Sequence, residues 1–276
     1  MFNYLKKSFA RKMARRFTKE YPSIIHTFDL GKYGKIQFAN WSNPLVSPIE
    51  IDFSMVEFFN QFIKEGDLAI DIGSHIGDTT VPMALCTGKS GLTIGFDPNG
   101  YVFKILQQNA NLNKDKYNIA THRNAISTKQ EEFYFVSSEA SFANGGISPT
   151  KNSSHGKFVQ PEKVEGINLK DFLELKYPDW LNKLAFIKID TEGYDKEIIK
   201  SIHGLIKEQK PVIIAESFGK ASNDAKIELF DVIVSLGYEI FYFDDFKIDT
   251  VVKKLQLNTD LLQFSKTINI YAIPVK

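Results

Sequence analysis

The chain has 276 residues, 43% of them hydrophobic and 24% charged, and a formal net charge of +1. That is enough apolar material for one α/β domain with both sheet faces covered, and it excludes a disordered chain. The first twenty residues hold seven of the 34 Lys and Arg and one of the 33 acids; the other 27 bases and 32 acids leave a body of net −5, with no electrostatic reason to bind nucleic acid.

The single cysteine, Cys86, cannot form an internal disulfide, and its setting in Met83-Ala84-Leu85-Cys86 reads as a small buried residue on a helix. No run nears the roughly 18 apolar residues of a spanning helix, and the early basic residues lack the continuous apolar core of a signal peptide. The expected location is cytoplasmic.

Phe2, Leu5, Phe9, Met13 and Phe17 recur at three- and four-residue spacing among basic residues, which predicts an amphipathic basic helix over residues 2–19. Its stripe either meets the inner membrane surface or packs on the domain or on a second subunit in a homodimer. Ile24 to Phe38 alternates around Gly31 and Gly34, a small hairpin. Residues 1–50 are therefore expected to be an extension and residues 51–276 the main domain. Asp52 to Lys64 has helical spacing, with Met55, Phe58, Phe59 and Phe62 on one side.

Leu68 to Thr80 is an apolar run ending in Asp71, then Gly73 and Gly77, then Asp78, Thr79 and Thr80 before another apolar run. This reads as strand, tight turn and helix start: the glycines let a ligand approach the backbone, and the helix offers free N–H groups. A second β-rich run, Gly91 to Phe96, stops at Asp97-Pro98-Asn99. An acid there accepts hydrogen bonds from ribose hydroxyls in nucleoside-binding doubly wound folds. His75 occupies the middle of what would be G-x-G-x-x-G, so a phosphate cradle is broken and an adenosyl ligand without phosphates fits better.

Tyr101 to Asn113 is helical by spacing, Ile119 to Ile126 and Glu132 to Val136 are strands, and the small polar stretch Ser137 to Lys163 reads as a long lid loop. Within that stretch His155 is either a base or a solvated side chain. Asp171 to Tyr177 is a helix, Lys183 to Asp190 a strand ending in acid, Gly193 to Ile206 a crossover helix and Pro211 to Glu216 a strand. Lys226 to Leu236 is a helix stopped by Gly237; Tyr238 to Phe243 and Thr267 to Ile273 are the last strands.

These residues resemble the class I S-adenosylmethionine-dependent methyltransferases. Asn109-Ala110-Asn111-Leu112-Asn113, Ala143-Asn144-Gly145-Gly146 and Ile187-Lys188-Ile189-Asp190-Thr191-Glu192-Gly193-Tyr194-Asp195 narrow the resemblance to the FkbM family, over about Trp41 to Phe218. Many members carry Ala-Asn where this chain has Ser74-His75. The resemblance implies an α/β, Rossmann-like, doubly wound sheet of seven strands, mostly parallel, with an antiparallel last strand. It implies S-adenosyl-L-methionine as cofactor, held by Asp71, Gly73, Ser74, His75, Gly77, Asp97, Pro98, Asn99, Asn124 and Ala125, with Asn124 at the adenine edge unless it merely caps a turn.

It further implies O-methylation of a sugar, glycan or polyketide-like hydroxyl. Such a hydroxyl must lose its proton, and Asp190 and Glu192 are placed as the groups that act on it, as general base or as ligands of a hard cation such as Mg²⁺. Asp195 is expected to cap the following helix, and Lys188 to orient or pair with Asp190. The competing readings are an adenosyl-binding module without catalysis and a nucleotide-dependent oxidoreductase.

Overall fold

The computed structural model describes residues 2–153, 155–191 and 193–275. The chain begins with helix α1 (Phe2–Ala14), the hairpin β1 (Ser23–Asp29) and β2 (Lys35–Trp41), and α2 (Phe53–Asn60). Strands and helices then alternate as β3 (Leu68–Ile72), α3 (Thr80–Thr87), β4 (Leu92–Phe96), α4 (Gly100–Leu112) and β5 (Ile119–His122). Four strands follow: β6 (Asn124–Ile126), β7 (Glu131–Ser137), β8 (Gly146–Ser148) and β9 (Phe158–Ile167). Helix α5 (Leu169–Lys176) leads to β10 (Leu184–Ile189), the broken pair α6 (Asp195–Ser201) and α7 (His203–Gln209), β11 (Val212–Ser217) and α8 (Asn223–Ser235). The last strands are β12 (Tyr238–Phe243), β13 (Val252–Leu255) and β14 (Ile268–Pro274).

The main sheet has eight strands in the order β13-β12-β14-β11-β10-β3-β4-β5. The five strands from β11 to β5 pair in parallel, and β14 runs antiparallel between β11 and β12. This is the expected doubly wound sheet with one strand more than seven, because the four-residue β13 adds an antiparallel edge to β12. Chain order steps outward on both sides of β3 and β10, so the crevice beyond their carboxyl ends is the switch point where such sheets bind ligands.

Every residue of β3 is buried, as a central parallel strand requires. Leu68, Ile70 and Ile72 join one apolar cluster and Ala69 the other, the two-residue alternation of a strand covered on both faces. The second cluster also takes in Ile36, Phe38 and Trp41 from the hairpin and Val56, Phe58 and Phe59 from α2. The motif Asn109 to Asn113 explains how the hairpin is attached. One helical turn apart, Asn109 exchanges side-chain hydrogen bonds with the Ala39 N–H and C=O (2.6 and 3.0 Å) and Asn113 does the same with Gln37 (2.8 and 2.9 Å), so two amides stand in for a partner strand on β2.

Ser137 to Lys163 is not one loop. Together with neighbouring residues it builds a second sheet of four strands in the order β6-β9-β7-β8, over its own small core of Ala125, Phe133, Phe135, Phe142 and Val164. The expected strand Ile119 to Ile126 is split at Arg123, its first part in the main sheet and its second in this one. The expected crossover helix breaks at Ile202 into α6 and α7.

Candidate functional site

A cavity of about 700 Å³ opens at the carboxyl ends of β3, β4 and β10. Asp71, the fourth residue of β3, organises the turn beside it. This carboxylate is fully buried and accepts from the hydroxyls of Thr79 (2.8 Å) and Thr80 (2.6 Å), and Lys188 Nζ approaches its other oxygen at 3.3 Å. Asp71 thus pins the start of α3 back onto β3 and closes the turn from Gly73 to Asp78 into a loop. It is spent on the scaffold and does not border the cavity.

Ser74 is turned inward as well, its hydroxyl donating to the carbonyls of Asp71 (2.7 Å) and Phe96 (3.2 Å). Gly77, at φ +96°, donates its N–H to the Ser74 carbonyl and shapes the turn without lining the cavity. Gly73 does line it, at φ +80°, but the close approach it permits is that of the chain itself: a Cβ there would lie 1.9 Å from the Asp190 carbonyl oxygen. Gly73→Val therefore strikes the scaffold itself and not only a bound ligand. That substitution should force the ends of β3 and β10 apart and lower stability by about 2–5 kcal/mol through overpacking and left-handed strain; a thermal melt within 2 °C or so of the parent would show that the two strand ends can yield.

His75 is also left-handed, at φ 48°, which presents its N–H to Asp97 Oδ2 at 2.7 Å. Its ring borders the cavity, edge-on to Trp41, with Nδ1 at 3.9 Å from Asp78 Oδ1. Desolvation holds the imidazole below its ordinary pKa despite the pull of Asp78 and Asp190, and burial raises Asp78. Asp97 receives a second N–H from Asn99, at 2.8 Å on Oδ1, so each carboxylate oxygen has one backbone donor and capacity for another, and the residue borders the cavity. Burial outweighs those donors and pushes Asp97 up to about 7.

Pro98, Asn99, Asn124 and Ala125 all border the same cavity. The Asn99 side chain is committed elsewhere: it caps α4 through the Tyr101 N–H (3.1 Å), accepts from Gln160 (2.7 Å) and donates to the Phe142 carbonyl (2.9 Å). Asn124 reaches the Glu165 carbonyl at 3.2 Å. Ala143 to Gly146 forms part of the wall; a Cβ on Gly145 would sit 2.4 Å from the Val136 carbonyl, so the glycine lets this turn lie flat on β7. His155 stacks over Gly146 and does not border the cavity.

On the opposite side stands Asp190, about one third exposed, with Oδ2 at 3.1 Å from Lys188 Nζ. Burial works against the Lys188 ammonium, yet Asp190, Asp71 and Asp78 outweigh it and hold its pKa above the ordinary lysine value. Glu192, the second acid expected to act on the acceptor, lies outside the described residues. Asp195 is the first residue of α6 and not its cap; it gathers the Thr191 hydroxyl (2.9 Å), the Gly193 N–H (3.3 Å) and, across to β11, the Glu216 N–H (3.0 Å). It buttresses the two strand ends. Burial, then Asp190 and Asp195, pushes Glu216 up to about 8.

The far wall belongs to no sequence motif. Glu50 and Asp52, just before α2, and Asp245, Phe246 and Lys247, between β12 and β13, border the cavity from segments read only as helix start and connection. Among the described residues no cluster of three or more His, Cys, Asp or Glu is placed to hold a metal ion.

The methyltransferase FkbM domain family matches residues 71–246. No curated protein matches the chain. Among solved structures it is similar to methyltransferase FkbM from Methylobacillus flagellatus KT, with TM-score 0.47 and 13% identity over 79% of this chain and 50% of that one, so the chain spans about half of that protein's length. It is also similar to an S-adenosylmethionine-dependent O-methyltransferase from Thermotoga maritima, with TM-score 0.43 and 12% identity over 92% of this chain and 78% of that one. A third is an O-methyltransferase from Bacillus cereus, solved with S-adenosylhomocysteine, with TM-score 0.43 and 13% identity over 82% of this chain and 83% of that one. The family match runs from Asp71, which closes the cavity loop, to Phe246 on the far wall, more than half of the chain, and on it the protein belongs to the FkbM methyltransferase domain family.

Proposed function

We propose that the protein is an S-adenosylmethionine-dependent O-methyltransferase acting on a hydroxyl of an uncharged sugar, glycan or polyketide-like acceptor. The observation that carries the reading is the acid-rich lining of the cavity at the switch point. Glu50, Asp52, Asp78, Asp97, Asp190 and Asp245 border it against Lys188 and Lys247, six acids to two bases. Such a lining favours a ligand with a sulfonium and an ammonium, and opposes the pyrophosphate that an oxidoreductase cofactor would bring.

The residues present fit that ligand. Asp97 keeps lone pairs for two ribose hydroxyls, and Asn124 and Ala125 border the space an adenine would take. When bound, the cofactor supplies a methyl group on an electrophilic sulfur. The protein's part is to align the acceptor oxygen with that carbon and to accept its proton. We assign the second task to Asp190, which pairs with Lys188 just beyond the end of β10 and borders the cavity. Its presence favours an enzyme over a module that only binds. Mg²⁺ finds no ligand cluster among the described residues, and retention of turnover in a chelator tests that reading directly.

Calorimetric titration with S-adenosylmethionine, S-adenosylhomocysteine and NAD separates the readings: the first two should bind and NAD should not. Asp97→Ala should raise the dissociation constant of S-adenosylmethionine by about 30- to 150-fold, or 2–3 kcal/mol, the worth of two charge-assisted hydrogen bonds. An unchanged constant would remove Asp97 from the cofactor site. With Asp97 near 7 in the free protein and ribose favouring its ionised form, binding near neutrality should release a proton. Affinity should then fall as pH drops below that value, approaching tenfold per unit. The same titration in buffers of different ionisation enthalpy reads the proton, and Asp97→Asn should abolish its release.

A further inference from the structure

We infer that α1 docks the protein on a bilayer surface containing anionic lipid. The helix turns its small residues to the protein and its large ones outward. Ala14 is fully buried and Ala10 half-buried, whereas Leu5, Phe9 and Met13 are 58, 66 and 37% exposed. Phe17, whose N–H bonds back to the Met13 carbonyl, is 58% exposed and extends the row by one turn. The stripe therefore does not complete the domain's core.

At about 100° per residue, Lys12 and Arg16 fall along one side of this row, and residues 1–19 contain no acid. Charge chooses the occupant. A second copy laid on the row would bring like-charged rims together, while an anionic lipid surface is complementary to them, each basic residue near the surface contributing attraction. The rest of the chain, at net −5, is repelled from such a surface, so the helix also sets the orientation.

The helix is held where that orientation matters. Arg11 Nε donates to the Pro44 carbonyl (3.2 Å), Arg15 pairs with Glu139 (3.5 Å), and the Ala140 N–H donates to the Arg15 carbonyl (3.3 Å). Asn43 Nδ2 in turn joins the Ser141 carbonyl (3.3 Å). These two segments run directly into Pro48 and Ile49 and into Ala143 to Gly146, which border the cavity. Docking through α1 brings that wall toward the membrane. No helix among the described residues is long and apolar enough to cross it, so the contact is peripheral.

The inference stands apart from the methyl-transfer reading, and its test needs no turnover. The full chain is floated with vesicles of phosphatidylcholine alone and of phosphatidylcholine with phosphatidylglycerol. It should float with the mixed vesicles, and added salt should weaken the binding. Leu5→Gln with Phe9→Gln should lower the partition coefficient by about 100-fold, from the apolar burial lost by two side chains. Both side chains are exposed, so the thermal melt should stay unchanged. Lys12→Glu with Arg16→Glu should bind mixed vesicles no better than neutral ones. Failure of the full chain to float with mixed vesicles overturns the inference, as does equal flotation of the Leu5 and Phe9 variant. A concentration-dependent dimer in sedimentation velocity that the same variant dissolves, without vesicle binding, would assign the row to a second copy and overturn it too.

Discussion

Lys188→Met should destabilise the protein by about 3–5 kcal/mol, the cost of leaving a buried charge without its partner. The ammonium sits between Asp71, with no exposure at all, and Asp190, and it is itself only 4% exposed. Removing it leaves the Asp71 carboxylate with two threonine hydroxyls and no counter-charge in the interior. Urea unfolding should show a lower midpoint with an unchanged slope.

Asp71→Asn added to that variant should restore part of the loss, because an uncompensated charge and not a missing contact is what costs. Lys188 is raised above its unfolded value of about 10.4, so the stability it contributes is fully present below that pH and fades only in strong alkali. The deficit of the variant should accordingly be the same at pH 6 and at pH 8 or so. A loss below about 1 kcal/mol, or no recovery in the double variant, would show that Asp71 is neutralised in some other way.

Much of this site can be read in the sequence because its parts are local. An apolar run, an acid, spaced glycines and a helix start lie within thirteen residues, and the geometry from Leu68 to Thr80 follows from them. What is less visible is which atom faces where. Asp71 and Asp97 are the same signal in sequence, an acid at a strand end, yet threonines at the next helix start absorb one and backbone amides leave the other open to the cavity.

The Asn109 to Asn113 motif is conspicuous as a pattern, but its function needs a hairpin some 70 residues away. Strand β9 is hidden for another reason. It contains Pro161 among Glu and Lys and reads as loop, and pairing with β7 overrides that preference by a register shift between Tyr134 and Val136, beside the proline. The far wall is supplied by loops whose positions depend on the whole sheet being assembled.

Asp190→Asn should leave the dissociation constant of S-adenosylmethionine within about threefold of the parent and lower turnover by roughly 10²–10⁴-fold, the worth of a positioned proton acceptor. Two features of its place in the fold lead to this split. The cofactor's ribose is assigned to Asp97 at the end of β4, two strands away across β3, so the amide at 190 removes no ribose contact. Lys188 keeps Asp71 as a counter-charge when Asp190 becomes neutral, so the interior is not left with an unpaired ion and the variant should fold. Single-turnover methylation of any hydroxyl acceptor that the parent accepts, measured beside calorimetric binding of the cofactor, reads the two effects apart. A large fall in cofactor affinity would place Asp190 on the ammonium of the cofactor instead of on the acceptor proton. Parental turnover would pass the base to another group, and Glu192, two residues along the chain from Asp190, is then the carboxylate to replace with Gln.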